Sequence, residues 1–475
     1  MRRMFYRREI RKYVSVWIIW LIKIKAILSK FHSFRHAVGS SIITRTTSRV
    51  PPPSRREAFG SCSKASLSVG DAIRGRCPTG RKEFGIYYAQ IIIRPYRKII
   101  LTLMLILTIS ILPACSAISV QTETFTAMDA AAESAVISTS DSLGKEINSR
   151  IKDICGEVEG RISNTIETSE IYKFNLYSKV AETSGINYQL SKETAGLLKT
   201  AKYMQEQTNG NFNPFLGDIT DLWDINNTDE NAVHKLPEKN DFYPALDRLK
   251  KFGDSYSITD NPDGTSAFAS DLRPPKIDLS RIGKGYALDC IDDYLVGEQS
   301  IQNALVSIGG TSLALGKNKS GDLWTVSIPS PVNPGKICGY VSATDKVVSV
   351  SAGSEKYITI NGKKYCNIID PDTGYPVDND LLCVVVVMNA KSVKQPADVR
   401  DKYKNNGVTA DALSTALYVM GKDKAKDFYD KVDYKNNPQL GFDMILFVKN
   451  DSVARGYDII TWNVMFDEID ENSQS

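Results

Sequence analysis

The sequence predicts an α+β fold, with one large mixed domain following an N-terminal leader and a lipoprotein signal. Helix-like and strand-like segments are interspersed after residue 123 without regular βαβ alternation, which favours a mixed domain. A hydrophobic content of 42% and a mean hydropathy of −0.23 are typical of a globular protein with a substantial core. The length of 475 residues would also allow two or three domains, but no internal repeat supports such a division.

Charge divides the chain into two unlike parts. Residues 1–98 hold 22 Lys and Arg against four acids, a net charge of +18, so that the rest carries −14 of the total of +4. A basic leader joined to an acidic body suggests a segment that is handled separately. The acidic body argues against a nucleic-acid partner, because it would not offset phosphate repulsion.

Residues 1–93 are expected to be a basic leader without folded structure. They are rich in Arg and Ser, include three consecutive prolines at 51–53, and lack sustained periodicity. We interpret them as an over-extended start, with translation beginning shortly before Arg94. The alternative is a basic arm that lies on a membrane surface.

Residues 94–114 are predicted to be a lipoprotein signal. Three basic residues precede an apolar run over 99–112, and Leu-Pro-Ala then leads to Cys115. The pattern resembles a bacterial lipoprotein signal, in which the Cys115 thiol is diacylated and anchors the protein to a membrane. Residues 115–122 would be a linker and 123–470 the folded domain. An uncleaved membrane helix is the alternative, although the run is short for a span.

The eight cysteines do not indicate a metal centre. None forms a CxxC pair or a His–Cys spacing, so zinc and iron–sulfur sites have no support. Two lie in the leader and one is Cys115. The remaining five are an odd number, so a complete disulfide framework is not expected.

The body begins with a predicted strand at 125–128 and a helix. Ser140 or Asp141 can cap this helix, and apolar residues from Leu143 to Ile162 recur at spacings of three and four. Residues 192–207 predict a second helix and 226–240 a surface loop. Runs rich in β-branched residues predict strands at 304–308, 324–328, 347–350 and 382–388.

Two glycine-rich motifs are suited to phosphate or ligand contacts. In residues 278–289, Gly283 and Gly285 flank Lys284 just before a predicted helix, so N–H groups and a cation would meet at a helix start. The alternative is a buried turn with a surface lysine. Residues 307–311 run from a strand into a glycine pair, which allows close approach to a flat ligand or only a tight turn.

Two further motifs combine turn chemistry with oxygen ligands. Residues 370–374, Asp-Pro-Asp-Thr-Gly, are typical of a turn or hairpin loop. In the fourth motif Thr409 can cap a helix that stops at Gly421. The side chains at 411, 414 and 415 then share one helix face and suit Mg²⁺ that bridges phosphates, although capping of a core helix is the alternative.

In this order, with Asn-Phe-Asn-Pro at 211–214 and Ser-Glu-Ile-Tyr-Lys-Phe-Asn at 169–175, these motifs resemble the ApbE family of FAD:protein FMN transferases. The resemblance covers roughly residues 123–465. It implies FAD as substrate, Mg²⁺ as cofactor, and an acceptor flavoprotein subunit of a membrane redox complex as partner. It implies that the protein is held at the cell membrane, on the extracytoplasmic face.

The resemblance also implies roles for individual residues. The positions that match FAD contacts are Met128, Asn211, Phe212, Asn213, Asp278, Lys284 and Ile368. The positions that match Mg²⁺ ligands are the carbonyl of Arg281 and the side chains of Asp411, Ser414 and Thr415. Lys284, Asn367 and Asp370 match the positions expected to take part in catalysis.

The implied reaction moves FMN from FAD to a Thr or Ser hydroxyl of the acceptor and releases AMP. The chain departs from the family at several positions. Asn367 stands where the family usually has His, and Asn cannot take a proton. Asp129-Ala130 replaces Gly-Thr, Asn213 replaces Asp, and Ser414 stands where some relatives have Asp. Hydrolysis of FAD to FMN and AMP, or FAD binding without turnover, are therefore the alternatives.

Overall fold

The computed structural model describes residues 118–181, 185–225, 227, 232–391, 405–432 and 440–471. The leader over 1–93, the signal over 94–114 and Cys115 lie outside these residues. No helix in the described ranges is long and apolar enough to cross a membrane. The five cysteines that fall in these ranges are all free.

The elements are numbered in chain order. The strands are β1 (Ser119–Ala127), β2 (Ala130–Ser138), β3 (Ile186–Leu190), β4 (Ser257–Asp260), β5 (Ser266–Ser270), β6 (Ala304–Ile308), β7 (Thr311–Leu315), β8 (Trp324–Pro329), β9 (Ile337–Ala343), β10 (Lys346–Ala352), β11 (Tyr357–Ile360), β12 (Lys363–Cys366), β13 (Leu381–Asn389), β14 (Asp443–Lys449), β15 (Tyr457–Trp462) and β16 (Phe466–Glu468). The α-helices are α1 (Asp141–Ile162), α2 (Glu170–Val180), α3 (Lys192–Gln207), α4 (Gly217–Trp223), α5 (Lys239–Phe252), α6 (Ser280–Asp292, followed by a π-helical turn over Asp293–Glu298) and α7 (Asn406–Lys431).

An eight-stranded antiparallel sheet forms the centre of the fold. Its strands lie in the order β1-β2-β6-β7-β10-β13-β14-β15. Because side chains alternate across a strand, each face supplies a separate core. Val347 of β10 packs into the core shared with the helices, and its neighbour Val348 packs against β8 and β9 on the other face. Interspersed helices and strands thus form one layered α+β body, as predicted.

Helix α1 follows its predicted pattern closely. Ser140 accepts a hydrogen bond from the Leu143 N–H at 3.3 Å and caps the first turn. The stripe that includes Ile147, Ile151 and Val158 is buried against the sheet and α6. Helix α3 spans the predicted residues 192–207, and β6 the predicted residues 304–308.

Strand β1 begins earlier than expected. Its first residue is Ser119, inside the segment 115–122 that was expected to be a linker. The segment pairs with β2 from Ser119↔Ser138 onward, so the polar sequence there belongs to the edge of the sheet. At the other end of the hairpin, Met128 and Asp129 form a two-residue turn with φ of 54° and 56°.

The glycines at 283 and 285 lie inside a helix, which corrects the prediction that they precede one. Helix α6 starts at Ser280. A Cβ on Gly285 would lie 2.1 Å from the Gly407 carbonyl oxygen, so the missing side chain allows α6 and α7 to cross at backbone contact. The sequence motif therefore reflects helix packing as well as site chemistry.

The start of α7 also differs from the prediction. Thr409 does not cap the helix, because its hydroxyl donates back to the carbonyl of Asn405 at 2.8 Å. The buried carboxylate of Asp289 accepts instead from the first amides of α7, Gly407 N–H at 2.9 Å and Val408 N–H at 3.1 Å. Gly421 breaks the helical geometry as predicted, with φ of 75°, but a further helical segment continues to Lys431.

Candidate functional site

A cleft of about 470 Å³ is lined by several of the sequence-predicted site residues. It is bounded by the loop before α4, the start of α6, the segment after β12 and one residue of α7. The predicted site residues that line it are Asn211, Phe212, Asn213, Asp278, Arg281, Asn367, Ile368 and Thr415. Met128, Lys284, Asp370, Asp411 and Ser414 are not among the lining residues.

Asp278 is held firmly on one side of the cleft. The side-chain amide of Asn175 both donates to and accepts from the backbone of Ile277, at 2.9 and 2.8 Å. The Asp278 carboxylate then accepts from Ser280 N–H at 2.9 Å and from the Thr220 hydroxyl at 3.2 Å. The motif at 169–175 therefore contributes to the site by fixing the backbone that presents Asp278.

The loop at 211–213 is fixed by its own side chains. Asn211 donates to the carbonyl of Thr208 at 2.7 Å, and Asn213 accepts from Phe215 N–H at 2.9 Å. The Phe212 ring is buried, and its amide donates to the Thr208 hydroxyl. These bonds make one wall of the cleft rigid before any ligand is bound.

Asn367 forms part of another wall and carries a buried acceptor. Its carbonyl accepts from the Arg281 guanidinium at 2.7 Å, and its amide donates to the carbonyl of Lys356 at 3.0 Å. The side-chain Oδ1 is buried and has no hydrogen-bond partner among the described residues. A buried acceptor without a partner is costly, so a ligand group that donates to it would be favoured here.

Asp411 lies at the centre of a cluster of hydroxyl groups. One carboxylate oxygen accepts from Thr311 at 2.8 Å and from Ser349 at 2.7 Å, and the other accepts from Gly285 N–H at 2.7 Å. Ser414 lies within hydrogen-bond distance of Ser349 and Ser351, at 3.0 and 2.8 Å. The predicted pair Asp411 and Ser414 is thus brought together, on the turn of α7 that also holds Thr415.

Burial raises the pKa of Asp411 above its usual range, and the bonds from Ser349, Gly285 and Thr311 oppose that rise. The charge of Lys284 also favours the ionised form.

The donor set fits a hard cation such as Mg²⁺. An ionised carboxylate has about four lone-pair sites, of which the protein uses three, and hydroxyl groups can rotate to offer oxygen to a cation. Gly285 N–H is the helical group that ordinarily points at the Arg281 carbonyl, so its bond to Asp411 puts carboxylate and carbonyl on the same side of α6. The described residues contain no cluster of three His, Cys, Asp or Glu side chains, and the set here is oxygen from one acid, hydroxyls and a carbonyl.

Lys284 reaches across to the turns of the sheet. Its Nζ lies 3.1 Å from Glu355 Oε1, and a Cβ on Gly309 would lie 2.9 Å from the same nitrogen. The glycine pair therefore provides space for the lysine. Met128 packs close to α6, since a Cβ on Gly283 would lie 2.9 Å from its terminal methyl group.

Asp370 is occupied by its own turn. Its carboxylate accepts from Asp372 N–H at 2.9 Å and from the Thr373 hydroxyl at 3.0 Å, and its carbonyl accepts from Gly374 N–H at 2.8 Å. The Asp-Pro-Asp-Thr-Gly motif is thus a hairpin turn, while the catalytic role of Asp370 stays a prediction.

Sequence reasoning gave no role to several residues of the site. These are Thr220 beside Asp278, the hydroxyls of Thr311, Ser349 and Ser351 around Asp411, and Glu355 beside Lys284. A signal was present for two of them. Ser349 and Ser351 are polar residues at alternate positions of a buried strand, and both point to the same side of the sheet.

The fold and the cleft first define a class: an α+β protein in which a polar cleft adjoins a buried carboxylate surrounded by hydroxyl groups. The chain belongs to the ApbE family, whose model matches residues 123–436. The family resemblance of the sequence motifs is thereby confirmed.

Relatives and solved structures agree with this assignment. The FAD:protein FMN transferase of Haemophilus influenzae is 27% identical over 302 residues, which is 63% of this chain and 78% of the relative. The flavin transferase ApbE from Vibrio cholerae has a TM-score of 0.55 at 23% identity, covering 73% of this chain and 98% of that structure. The apo flavinyl transferase ApbE from Pseudomonas stutzeri has a TM-score of 0.56 at 22% identity, with 73% and 95% covered. These structures support the same fold.

Proposed function

We propose that the protein is an FAD:protein FMN transferase that moves FMN from FAD to a Thr or Ser hydroxyl of an acceptor protein and releases AMP. The observation that carries the proposal is the hydroxyl-ringed Asp411 on the same turn of α7 as Thr415, which lines the cleft. The name shared by the curated relatives supports the same reaction.

The reaction is a displacement at the FMN phosphorus of FAD. The acceptor oxygen forms a bond to that phosphorus, the bond to the bridging pyrophosphate oxygen breaks, and AMP leaves with the electron pair. Little covalent chemistry is required of the protein, so positioning and charge stabilisation dominate. Lys284 offers its cation to the pyrophosphate, and Arg281 supports the wall of the cleft through the Asn367 carbonyl.

Asn367 has a limited part in proton transfer. Its buried Oδ1 can accept a hydrogen bond from the acceptor hydroxyl and so orient the attacking oxygen. It cannot remove the proton, which leaves to solvent. We therefore expect slower transfer than in a protein with an ionisable base at this position.

The residues that would hold Mg²⁺ are Asp411, Ser414, Thr415 and the carbonyl of Arg281. When bound, the ion would supply positive charge to the pyrophosphate oxygens. We further propose that the diacylated Cys115 holds the protein at the extracytoplasmic face of the cell membrane, near an acceptor flavoprotein subunit of a membrane redox complex.

The test is to incubate the full-length chain with FAD, Mg²⁺ and a peptide that contains Asp-x-x-Thr-Gly-Ala-Thr, and to follow the products by mass spectrometry. We expect the peptide to gain the mass of FMN while AMP appears in equal amount. Asp411→Asn should lower the rate at least about tenfold, since it removes the charged oxygen of the metal set. Asp263→Asn, in an exposed loop, is the matched control and should leave the rate unchanged.

Other products would change the assignment. Free FMN and AMP without adduct would identify an FAD pyrophosphatase, and intact FAD would identify a binding protein. The unpaired Asn367 Oδ1 favours these as the alternatives, because no base adjoins the acceptor hydroxyl there. Full activity of Asp411→Asn would refute the metal assignment.

A further inference from the structure

The hairpin β11–β12 is joined directly to the wall of the cleft. Strand β12 ends at Cys366, and the next residue is Asn367, whose amide continues the ladder by donating to the Lys356 carbonyl at 3.0 Å. The Arg281 guanidinium fixes the same residue from the other side. A partner that binds along this hairpin would therefore be aligned with the place where the acceptor hydroxyl must enter.

The hairpin offers backbone groups for pairing. Among the described strands, β11 and β12 pair only with each other, so each has one edge without a strand partner. An extended segment can add to such an edge through main-chain hydrogen bonds. At about 3.3 Å per residue, four paired residues extend about 13 Å, so the following residues of a docked segment would reach the cleft.

The outer face of the hairpin is basic and aromatic. Over residues 354–367 there are three lysines and one acid. Tyr357, 37% exposed, shares this face with Lys364, whose Nζ lies 4.2 Å from the centre of the Tyr357 ring. Exposed tyrosine is characteristic of interface surfaces, and it holds this lysine in place by a cation–π contact.

The nearby carboxylates are already engaged, which leaves the hairpin positive. Glu355 pairs with Lys284 at 3.1 Å, and Asp378 pairs with Lys363 at 2.8 Å. Within the described part of the chain, no carboxylate lies within ion-pair distance of Lys364 or Lys356. This local positive charge stands in contrast to the net charge of −14 after residue 98, which would repel an acidic partner elsewhere.

We propose that the face of β11–β12 carrying Tyr357, Thr359 and Lys364 is the docking surface for the acceptor protein, which presents an acidic, extended segment next to its modified hydroxyl. This rests on the proposed transferase function and adds the chemistry by which the acceptor is chosen. Charge complementarity selects the segment, the free strand edge aligns it, and the end of the hairpin directs it to Asn367.

The test uses two fluorescein-labelled 20-residue peptides with the same Asp-x-x-Thr-Gly-Ala-Thr core. One is flanked by glutamates and the other by lysines, and binding to the full-length chain is measured by fluorescence anisotropy. We expect the glutamate peptide to bind more tightly. Lys364→Glu should weaken its binding about threefold to tenfold and reverse the preference between the peptides. Lys152→Glu, exposed on α1 outside the cleft, is the matched control and should behave as wild type.

Two results would overturn the docking surface. One is equal binding of both peptides, or no effect of Lys364→Glu. The other is loss of cosedimentation with phosphatidylserine vesicles in Lys364→Glu while peptide binding is unchanged, which would identify a membrane contact.

A transfer assay with the same peptides separates this proposal from the function itself. Transfer that is insensitive to Lys364→Glu contradicts the docking surface and keeps the transferase. Charge-selective binding without any FMN transfer contradicts the transferase and keeps the docking surface.

Discussion

At the scale of single residues, Lys284 has two competing partners. In the structure its ammonium group pairs with Glu355, whereas the proposed reaction needs the same charge for the FAD pyrophosphate. The pair is partly exposed, with 23% and 40% of the two side chains accessible, so it is weak enough to be exchanged for a phosphate. Glu355 therefore sets how available the lysine is.

Glu355→Gln is expected to tighten FAD binding, because the competing carboxylate is removed while the side-chain shape is kept. The Kd for FAD should fall by up to about fivefold, in line with an exposed ion pair of at most about 1 kcal/mol. Isothermal titration calorimetry measures it, with Glu157→Gln on α1 as a control that also breaks an exposed ion pair. Weaker FAD binding in Glu355→Gln would show that the carboxylate supports the lysine and does not compete with it.

At the scale of elements, the crossing of α6 and α7 positions the site. Gly285 and Gly407 meet at backbone contact, and the Gly285 amide is also a hydrogen-bond donor to Asp411. Any increase in the distance between the helices would therefore move the carboxylate away from its ring of hydroxyls. Packing and chemistry depend on the same pair of glycines.

Gly285→Ala should destabilise the protein, because its Cβ would lie 2.1 Å from the Gly407 carbonyl oxygen and the helices cannot approach. Overpacking of this kind costs about 1–3 kcal/mol in free energy of unfolding. Gly196→Ala is the matched control, since Gly196 lies inside α3 with nothing within 4 Å of the position that a Cβ would take, and it should gain about 0.5–1 kcal/mol. Urea denaturation of both variants gives the comparison, and equal stabilities would contradict the close crossing.

The same junction contains a pH-sensitive cap. Burial raises the pKa of Asp289 to about 7, although the amides of Gly407 and Val408 and the charge of Lys391 oppose the rise. A folded-state pKa above the unfolded value near 4 means that the folded protein holds the proton more tightly. The stability that this carboxyl contributes is therefore full below about pH 4 and is lost as the pH rises toward 7.

Asp289→Asn should remove that dependence. The difference in free energy of unfolding, wild type minus variant, should fall between about pH 4 and pH 7 by up to about 1.4 kcal/mol per pH unit. Urea denaturation across this range measures it. A difference that stays constant with pH would mean that the Asp289 pKa is not raised in the folded protein.

The elements also show what the sequence could and could not predict. Local signals sufficed for α1, α3 and β6, because capping, periodicity and β-branched runs act within a few residues. The start of α7 was missed because its cap, Asp289, comes from another helix 118 positions away. The hydroxyls of Ser349 and Thr311 were missed for the same reason, since only the sheet order brings them to Asp411.

At the scale of the whole molecule, the fold extends beyond the segment that the family model matches. That match ends at residue 436, whereas β14, β15 and β16 follow it. Strand β14 lies inside the central sheet between β13 and β15, and its ring at Phe447 packs edge-on against Phe466 of β16 in the second core. The last strands are therefore part of the structure that holds β13 beside α7.

A chain that ends after residue 436 is expected not to fold. It would lose Met444, Ile445, Leu446 and Phe447, which are fully buried, and it would expose the edge of the apolar strand β13. Burial of each such side chain contributes about 1.5–3 kcal/mol, and four of them are comparable to a total stability of about 5–15 kcal/mol. The measurement is soluble yield together with urea unfolding, against a control chain that ends after residue 471 and keeps β14 to β16. The control should unfold in one cooperative transition and the shorter chain should show none. A cooperative transition in the shorter chain would mean that the body is stable without these strands, and that β14 serves only to cover an edge.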